Sequence, residues 1–191
     1  MKNIAIFASG SGSNAENFVN YFSGNKEIRV AMFFCNNPKA GVIERAKKLG
    51  VPCMVFDKRQ LYETGEVADA LRRNSIDYLV LAGFLLLIPD DIRAVYGRRI
   101  VNIHPSLLPK YGGKGMYGDR VHEAVIAAGD KVSGITIHRV NEFYDDGSIV
   151  CQKTCDVAPD DTPHTLATKV HALEYQWFPV IVEQDILSEM K

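Results

Sequence analysis

Asn102 and His104 stand two residues apart at the close of an apolar run, in the segment Asn102-Ile103-His104-Pro105-Ser106-Leu107-Leu108-Pro109. In extended backbone, positions two apart point the same way, so the amide and the imidazole project together while Ile103 turns toward the core. An amide can donate a hydrogen bond to a developing oxyanion without titrating. An imidazole exchanges a proton near neutral pH, since its ordinary pKa is about 6.5. That pair suits acyl transfer. A carboxylate that holds and charges the histidine would complete the set, and Tyr144-Asp145-Asp146-Gly147 offers two in a polar turn between apolar runs. Spacing does not choose between Asp145 and Asp146. The plainer alternatives are loop hydrogen bonding for Asn102 and His104, and a solvated hairpin turn for the aspartates.

A second cluster, Ser9-Gly10-Ser11-Gly12-Ser13-Asn14, lies between the first apolar run and the first helical period. Glycines there let the chain turn tightly, and amides opening a helix make an anion site. Gly10, Gly12 and Ala15 also fit the dinucleotide fingerprint, but the second strand would then end near an acidic residue, and here it ends in Cys35, Asn36 and Asn37. The loop therefore reads as a cradle for a monophosphate. No P-loop, zinc pair or serine elbow competes with these groups, and no nucleophile stands out, so the chemistry reads as direct transfer with acid and base help.

Five strand-length apolar runs, Ile4 to Ala8, Ile28 to Phe34, Pro52 to Phe56, Asp77 to Ala82 and Arg99 to Ile103, alternate with helical periods over Gly41 to Leu49 and Leu61 to Arg73, with Pro89 opening a short helix. Strands apolar on both faces and separated by helices predict a Rossmann-like α/β fold: an open, mostly parallel twisted sheet with helices on both faces. Ligands of such sheets bind beyond the carboxyl ends of the strands, where the glycine loop, Gly83 with Phe84, and Asn102 with His104 all fall. After a glycine-rich loop over 104–118, a helix over Asp119 to Ala128 and strands over Gly134 to Val140 and Ser148 to Cys155 add a late antiparallel strand. Leu166, Val170, Leu173 and Trp177 then mark a helical face, with Pro179 predicted to kink or restart it.

The chain has 191 residues, 47% apolar and 24% charged, and 22 basic against 23 acidic residues give a formal net charge of −1. That length predicts a single domain over 1–191. The balanced charge argues against nucleic-acid and membrane surfaces and for small-molecule partners. Cys35, Cys53, Cys151 and Cys155 form no C-x-x-C pair, the first residues resemble no secretory signal, and no run is long enough to span a membrane, so a reduced, cytoplasmic protein without a metal is expected.

The run Asn102 to Tyr111, N-I-H-P-S-L-L-P-K-Y, together with the S-G-S-G-S-N loop and L-A-G-F at 81–84, resembles the phosphoribosylglycinamide formyltransferase family of folate-dependent formyl-transfer enzymes. The resemblance runs from the first strand to Glu174. It implies transfer of a formyl group from 10-formyltetrahydrofolate to the amine of glycinamide ribonucleotide, in purine synthesis, by a monomer or homodimer. It further implies His104 as proton donor, Asn102 as oxyanion-binding amide, and Asp145 as the aspartate that raises the histidine's pKa. By the same resemblance Gly12, Ser13 and Asn14 take the phosphate, Glu174 meets the glycinamide end, and Leu85, Leu86, Leu87 and Ile88 with Asn102 line the folate pocket. His138 would be a supporting residue. Two positions depart from the family: Leu86 stands where many members carry Arg, and Asp146 where a glycine is usual. Arg59 is a candidate basic contact to folate.

Overall fold

The computed structural model describes residues 1–188. Two compact units divide the chain, Met1–Val101 and Asn102–Lys191. The first contains β1 (Lys2–Phe7), α1 (Ser13–Tyr21), β2 (Ile28–Cys35), α2 (Gly41–Leu49), β3 (Cys53–Val55), α3 (Lys58–Tyr62), α4 (Glu66–Arg73), β4 (Tyr78–Leu81), α5 (Asp90–Tyr96) and a 3₁₀ turn over Gly97–Arg99. Its strands lie in the order β3-β2-β1-β4. Both β2 and β4 pair with β1 in parallel, and β3 pairs in parallel with β2. Ile4, Ile6, Phe7, Leu79 and Val80 are completely buried, as expected of strands covered on both faces. Near the strand carboxyl ends, Phe7 stacks on Phe34 with ring centroids 4.7 Å apart, and Phe84 meets Phe7 edge-on at 5.2 Å. Full burial of each ring is worth roughly 2–3 kcal/mol, which makes a rigid floor for the loops that follow these strands.

The single helix predicted over Leu61 to Arg73 is two helices. Gly65 lies between them with φ +71°, a left-handed conformation that ends one helical path and starts another. The first begins at a capping box in which the Gln60 backbone N–H donates to Asp57 and the Gln60 side chain accepts from the Asp57 backbone N–H.

β5 (Ile100–His104) carries the chain into the second unit, which continues with α6 (Asp119–Ala128), β6 (Val132–Arg139), β7 (Ile149–Asp156) and α7 (Pro163–Ser188). β6 and β7 pair antiparallel from Val132 opposite Asp156 to His138 opposite Ile149, with a bulge between Ile137 and His138. Parallel pairs early and this antiparallel pair late place the chain in the α/β class expected. The helix does not restart at Pro179: α7 runs through it as one helix. A proline inside a helix costs about 3 kcal/mol. Here Leu166, Val170 and Phe178 before it and Val182 and Ile186 after it are all buried, so packing on both sides of the proline offsets that cost and keeps the helix formed. Among the described residues, no helix is long and apolar enough to cross a membrane.

Candidate active site

β5 delivers Asn102 and His104 at its carboxyl end, with Ile103 buried between them. His104 is only 3% exposed. Its Nε2 lies 2.7 Å from the Tyr111 carbonyl oxygen, and its Nδ1 lies 3.4 Å from Asp145 Oδ2. A carbonyl can only accept, so Nε2 carries a hydrogen in every charge state of the ring. Nδ1 is therefore the atom that gains and loses a proton, and it faces a carboxylate. Burial pushes the His104 pKa down, while Asp145 and the Tyr111 carbonyl push it up; burial prevails and the net direction is downward. The aspartate thus acts in the direction expected of it, without lifting the histidine above its ordinary value.

Asp145 sits in the connection from β6 to β7, at φ +55°, a left-handed conformation that aspartate tolerates better than most residues. Its Oδ2 accepts from the Gly113 backbone N–H at 3.0 Å; its Oδ1 lies 3.4 Å from Asn102 Nδ2 and 3.5 Å from His138 Nε2. Burial raises this carboxyl, but His138, the His104 charge and the Gly113 N–H outweigh it and leave the pKa below the ordinary value. Asp146, the other candidate, is exposed and accepts from the Asn141 side chain at 3.0 Å. Geometry brings Asp145, and not Asp146, to the histidine. The Asn102 amide nitrogen also meets His138 Nε2 at 3.0 Å, and His138 Nδ1 donates to the Arg139 carbonyl at 2.7 Å. Four side chains, Asn102, His104, His138 and Asp145, therefore form one hydrogen-bonded cluster with a protonatable nitrogen and an amide donor.

Glu174, on the buried face of α7, is 5% exposed and accepts from His171 Nδ1 at 3.0 Å. That bond raises the His171 pKa, and the Glu174 charge reaches both His104 and His122. A buried carboxylate beside histidines can hold an amine or hydroxyl group.

In the first unit, Gly12 caps α1 at φ +77°, and the Glu16 N–H donates back to the Gly12 carbonyl at 3.0 Å. Amides of the first turn at Ser13 and Asn14 open the helix, the arrangement that receives a phosphate. A Cβ on Gly12 would stand 2.5 Å from Val42 Cγ2, so the loop lies directly on α2. Arg45 donates to the Ser11 carbonyl at 2.9 Å and pairs with Glu16, bracing the loop from the side. Ser9 joins three strand ends: its hydroxyl donates to Asn36 Oδ1 at 2.6 Å and accepts from the Leu85 N–H at 3.1 Å, and its backbone N–H donates to the Gly83 carbonyl. Of Leu85, Leu86, Leu87 and Ile88, only Ile88 belongs to the core; Leu85 is 43% exposed and Leu86 and Leu87 are half-buried. The Leu87 carbonyl is met by the Tyr62 hydroxyl at 2.9 Å. Three available leucines suit the apolar wall of a flat heterocycle.

Sequence reasoning passed over four of these groups. Tyr111 and Gly113 act through the backbone, which residue type does not reveal. Arg45 acts from a helix 34 positions away from Ser11. His171 was discoverable, because His171 and Glu174 are three apart on a helical period and so share a face.

The formyl transferase family model matches residues 2–182. The chain is 38% identical over 190 residues to phosphoribosylglycinamide formyltransferase of Bacillus subtilis, covering 96% of this chain and 94% of the relative. It is 40% identical over 187 residues to the chloroplastic phosphoribosylglycinamide formyltransferase of Arabidopsis thaliana, covering 95% of this chain; the match spans 64% of that longer relative's length. Among solved structures, phosphoribosylglycinamide formyltransferase from Bacillus halodurans is similar with a TM-score of 0.86 and 37% identity, over 100% of this chain and 97% of that one.

Proposed function

This chain belongs to the formyl transferase family, and on that premise we propose that it transfers a formyl group from 10-formyltetrahydrofolate to the amine of 5′-phosphoribosylglycinamide, in de novo purine synthesis. It would act as one formyltransferase domain, monomeric or homodimeric, in the cytoplasm. The observation that carries the chemistry is the cluster in which His104 offers Nδ1 to Asp145 at 3.4 Å beside the Asn102 amide. The neutral amine attacks the formyl carbon, forming a C–N bond and a tetrahedral oxyanion. Asn102 donates an amide hydrogen to that oxyanion, exchanging its long 3.4 Å contact with Asp145 for a shorter bond to the developing charge. Protonated Nδ1 of His104 supplies the second donor, with Asp145 stabilising the imidazolium. As the bond from carbon to the folate nitrogen breaks, the proton lost by the attacking amine is returned, through His104 and Asp145, to the departing nitrogen, so protons balance. Gly12, Ser13 and Asn14 hold the phosphate, Glu174 meets the glycinamide end, and Leu85, Leu86, Leu87 and Ile88 with Asn102 bind the folate.

The test is to incubate the protein with 10-formyltetrahydrofolate, with and without the ribonucleotide, and follow tetrahydrofolate release. Release that requires the ribonucleotide is expected. Equal release without it would instead identify a hydrolase, and no release would reject both.

The phosphate loop gives a separate prediction. In Gly12→Ala the new Cβ meets Val42 at 2.5–2.8 Å, and φ +77° disfavours any L side chain, so the loop must shift. The KM for the ribonucleotide should rise about tenfold or more, equivalent to about 1.4 kcal/mol, while the KM for the formyl donor stays within about twofold. Steady-state kinetics with each substrate varied in turn checks this; a rise confined to the folate side would reassign the loop.

A further inference from the structure

Tyr111 is the point where the outer surface of the second unit touches the histidine. It is a bulky residue at φ +57°, a conformation rare for such side chains unless the surroundings impose it. Its carbonyl accepts from His104 Nε2 at 2.7 Å, and its hydroxyl, at the other end, donates to Asp130 Oδ2 at 2.9 Å. Lys110 pairs with both oxygens of the same aspartate at 3.2 and 3.0 Å. Asp130 occupies the turn between α6 and β6, and the next residue is pinned there because its carbonyl accepts from the Val157 N–H at 2.9 Å. The carboxylate therefore sits on a fixed part of the backbone. We propose that Asp130 is a positioning residue for His104: it anchors the Tyr111 side chain, and that anchoring aims the Tyr111 carbonyl at Nε2.

The consequence is chemical as well as steric. While the carbonyl holds a hydrogen on Nε2, Nδ1 is the only ring nitrogen that titrates, and it is the one turned to Asp145. Two residues further along, the Gly113 N–H donates to Asp145 Oδ2. A rotation at Tyr111 would thus disturb both members of the pair. The stem of the loop is held independently: Ser106 Oγ donates to the Lys110 carbonyl at 2.7 Å, the Leu108 N–H donates to Thr136 Oγ1 at 3.0 Å, and Gln152 donates to the Leu108 carbonyl at 3.1 Å. Those bonds fix the backbone up to residue 110 and the Gly113 N–H fixes it beyond, while at residue 111 the hydroxyl anchors the side chain to Asp130. The groups whose charge reaches His104 are Asp145, His138, Glu174 and His122, and a change at Asp130 removes none of them.

The inference rests on the reading of His104 as proton donor, and the experiment separates the two. The variants are Tyr111→Phe, which removes one hydroxyl, Asp130→Asn, which keeps an acceptor for it, and Asp130→Ala, which does not. The His104 ring is titrated by proton NMR in the ligand-free protein, its signal identified by its absence in His104→Ala, and kcat is measured alongside. Tyr111→Phe and Asp130→Ala should each move the His104 titration to lower pH, because the carbonyl bond favours the charged ring. They should lower kcat about tenfold with both KM values within about twofold. Asp130→Asn should recover most of the loss. An unmoved titration in Tyr111→Phe, or a moved titration with unchanged kcat, overturns the positioning role. Full turnover in His104→Ala would overturn the functional reading itself, whatever the titration shows.

Discussion

His104→Ala is expected to lose turnover by on the order of 10²-fold or more while binding both substrates nearly as well as the parent. His104 is the imidazole whose titrating nitrogen, Nδ1, faces Asp145, so it can deliver a proton at neutral pH and be recharged. Asp145 is held below the ordinary carboxylate range and Asn102 does not titrate. Loss should remain incomplete, because the Asn102 amide still meets the oxyanion. The side chain is almost fully buried, so alanine leaves a cavity, and a second variant is needed to separate lost chemistry from collapse around it. His104→Gln fills most of that space without a titrating nitrogen and should lose as much. Single-turnover rates and equilibrium binding of each substrate decide the matter: a variant that turns over like the parent removes His104 from the mechanism.

Gly147→Ala should be the most damaging single methyl group in the loop that carries Asp145. An added Cβ would stand 1.9 Å from the Arg139 carbonyl oxygen and 2.7 Å from its carbon, overlaps with backbone that no rotamer relieves. The struck oxygen is the acceptor that holds His138 Nδ1, and the Arg139 N–H in turn donates to the Ser148 carbonyl at 2.9 Å. Separating these strands therefore displaces Asp145, two residues before the glycine, together with the histidine ring it meets. Unfolding free energy should fall by about 3 kcal/mol or more, in the upper part of the range for point substitutions, and turnover should fall even where the protein remains folded. Thermal unfolding and kcat at 20 °C measure the two effects separately. A parent-like melting temperature would mean the hairpin accommodates the methyl and that the close approach is not structural.

The order of strands and helices was largely legible because fully apolar runs alternate with helical periods, and a parallel sheet demands that pattern. Where the reading failed, packing or a single backbone angle decided the outcome. Gly65 broke a helix whose period looked continuous, and packing on both sides of Pro179 kept α7 one helix. Asn102 and His104 could be paired from their spacing, since strand geometry is local. The choice of Asp145 over Asp146 could not be made that way, because it depends on a left-handed residue in a loop 41 positions beyond His104. Tyr111 lay outside the reach of side-chain chemistry altogether, for its contribution to the histidine is a carbonyl oxygen that every residue possesses.

Ser9 has a mechanical meaning beyond its hydrogen bonds. One hydroxyl oxygen acts as donor to the Asn36 side chain and as acceptor for the Leu85 amide, while the same residue begins the turn toward Gly12. Three chain segments meet at a single residue that is 7% exposed, so displacing any one of them breaks a buried hydrogen bond to another. On the proposed reading, the loop that would hold the phosphate and the leucine segment that would line the folate site are tied to each other through this one hydroxyl. Ordering of either segment by an occupant would then be felt by the other through a knot drawn by one oxygen atom, with no moving domain required.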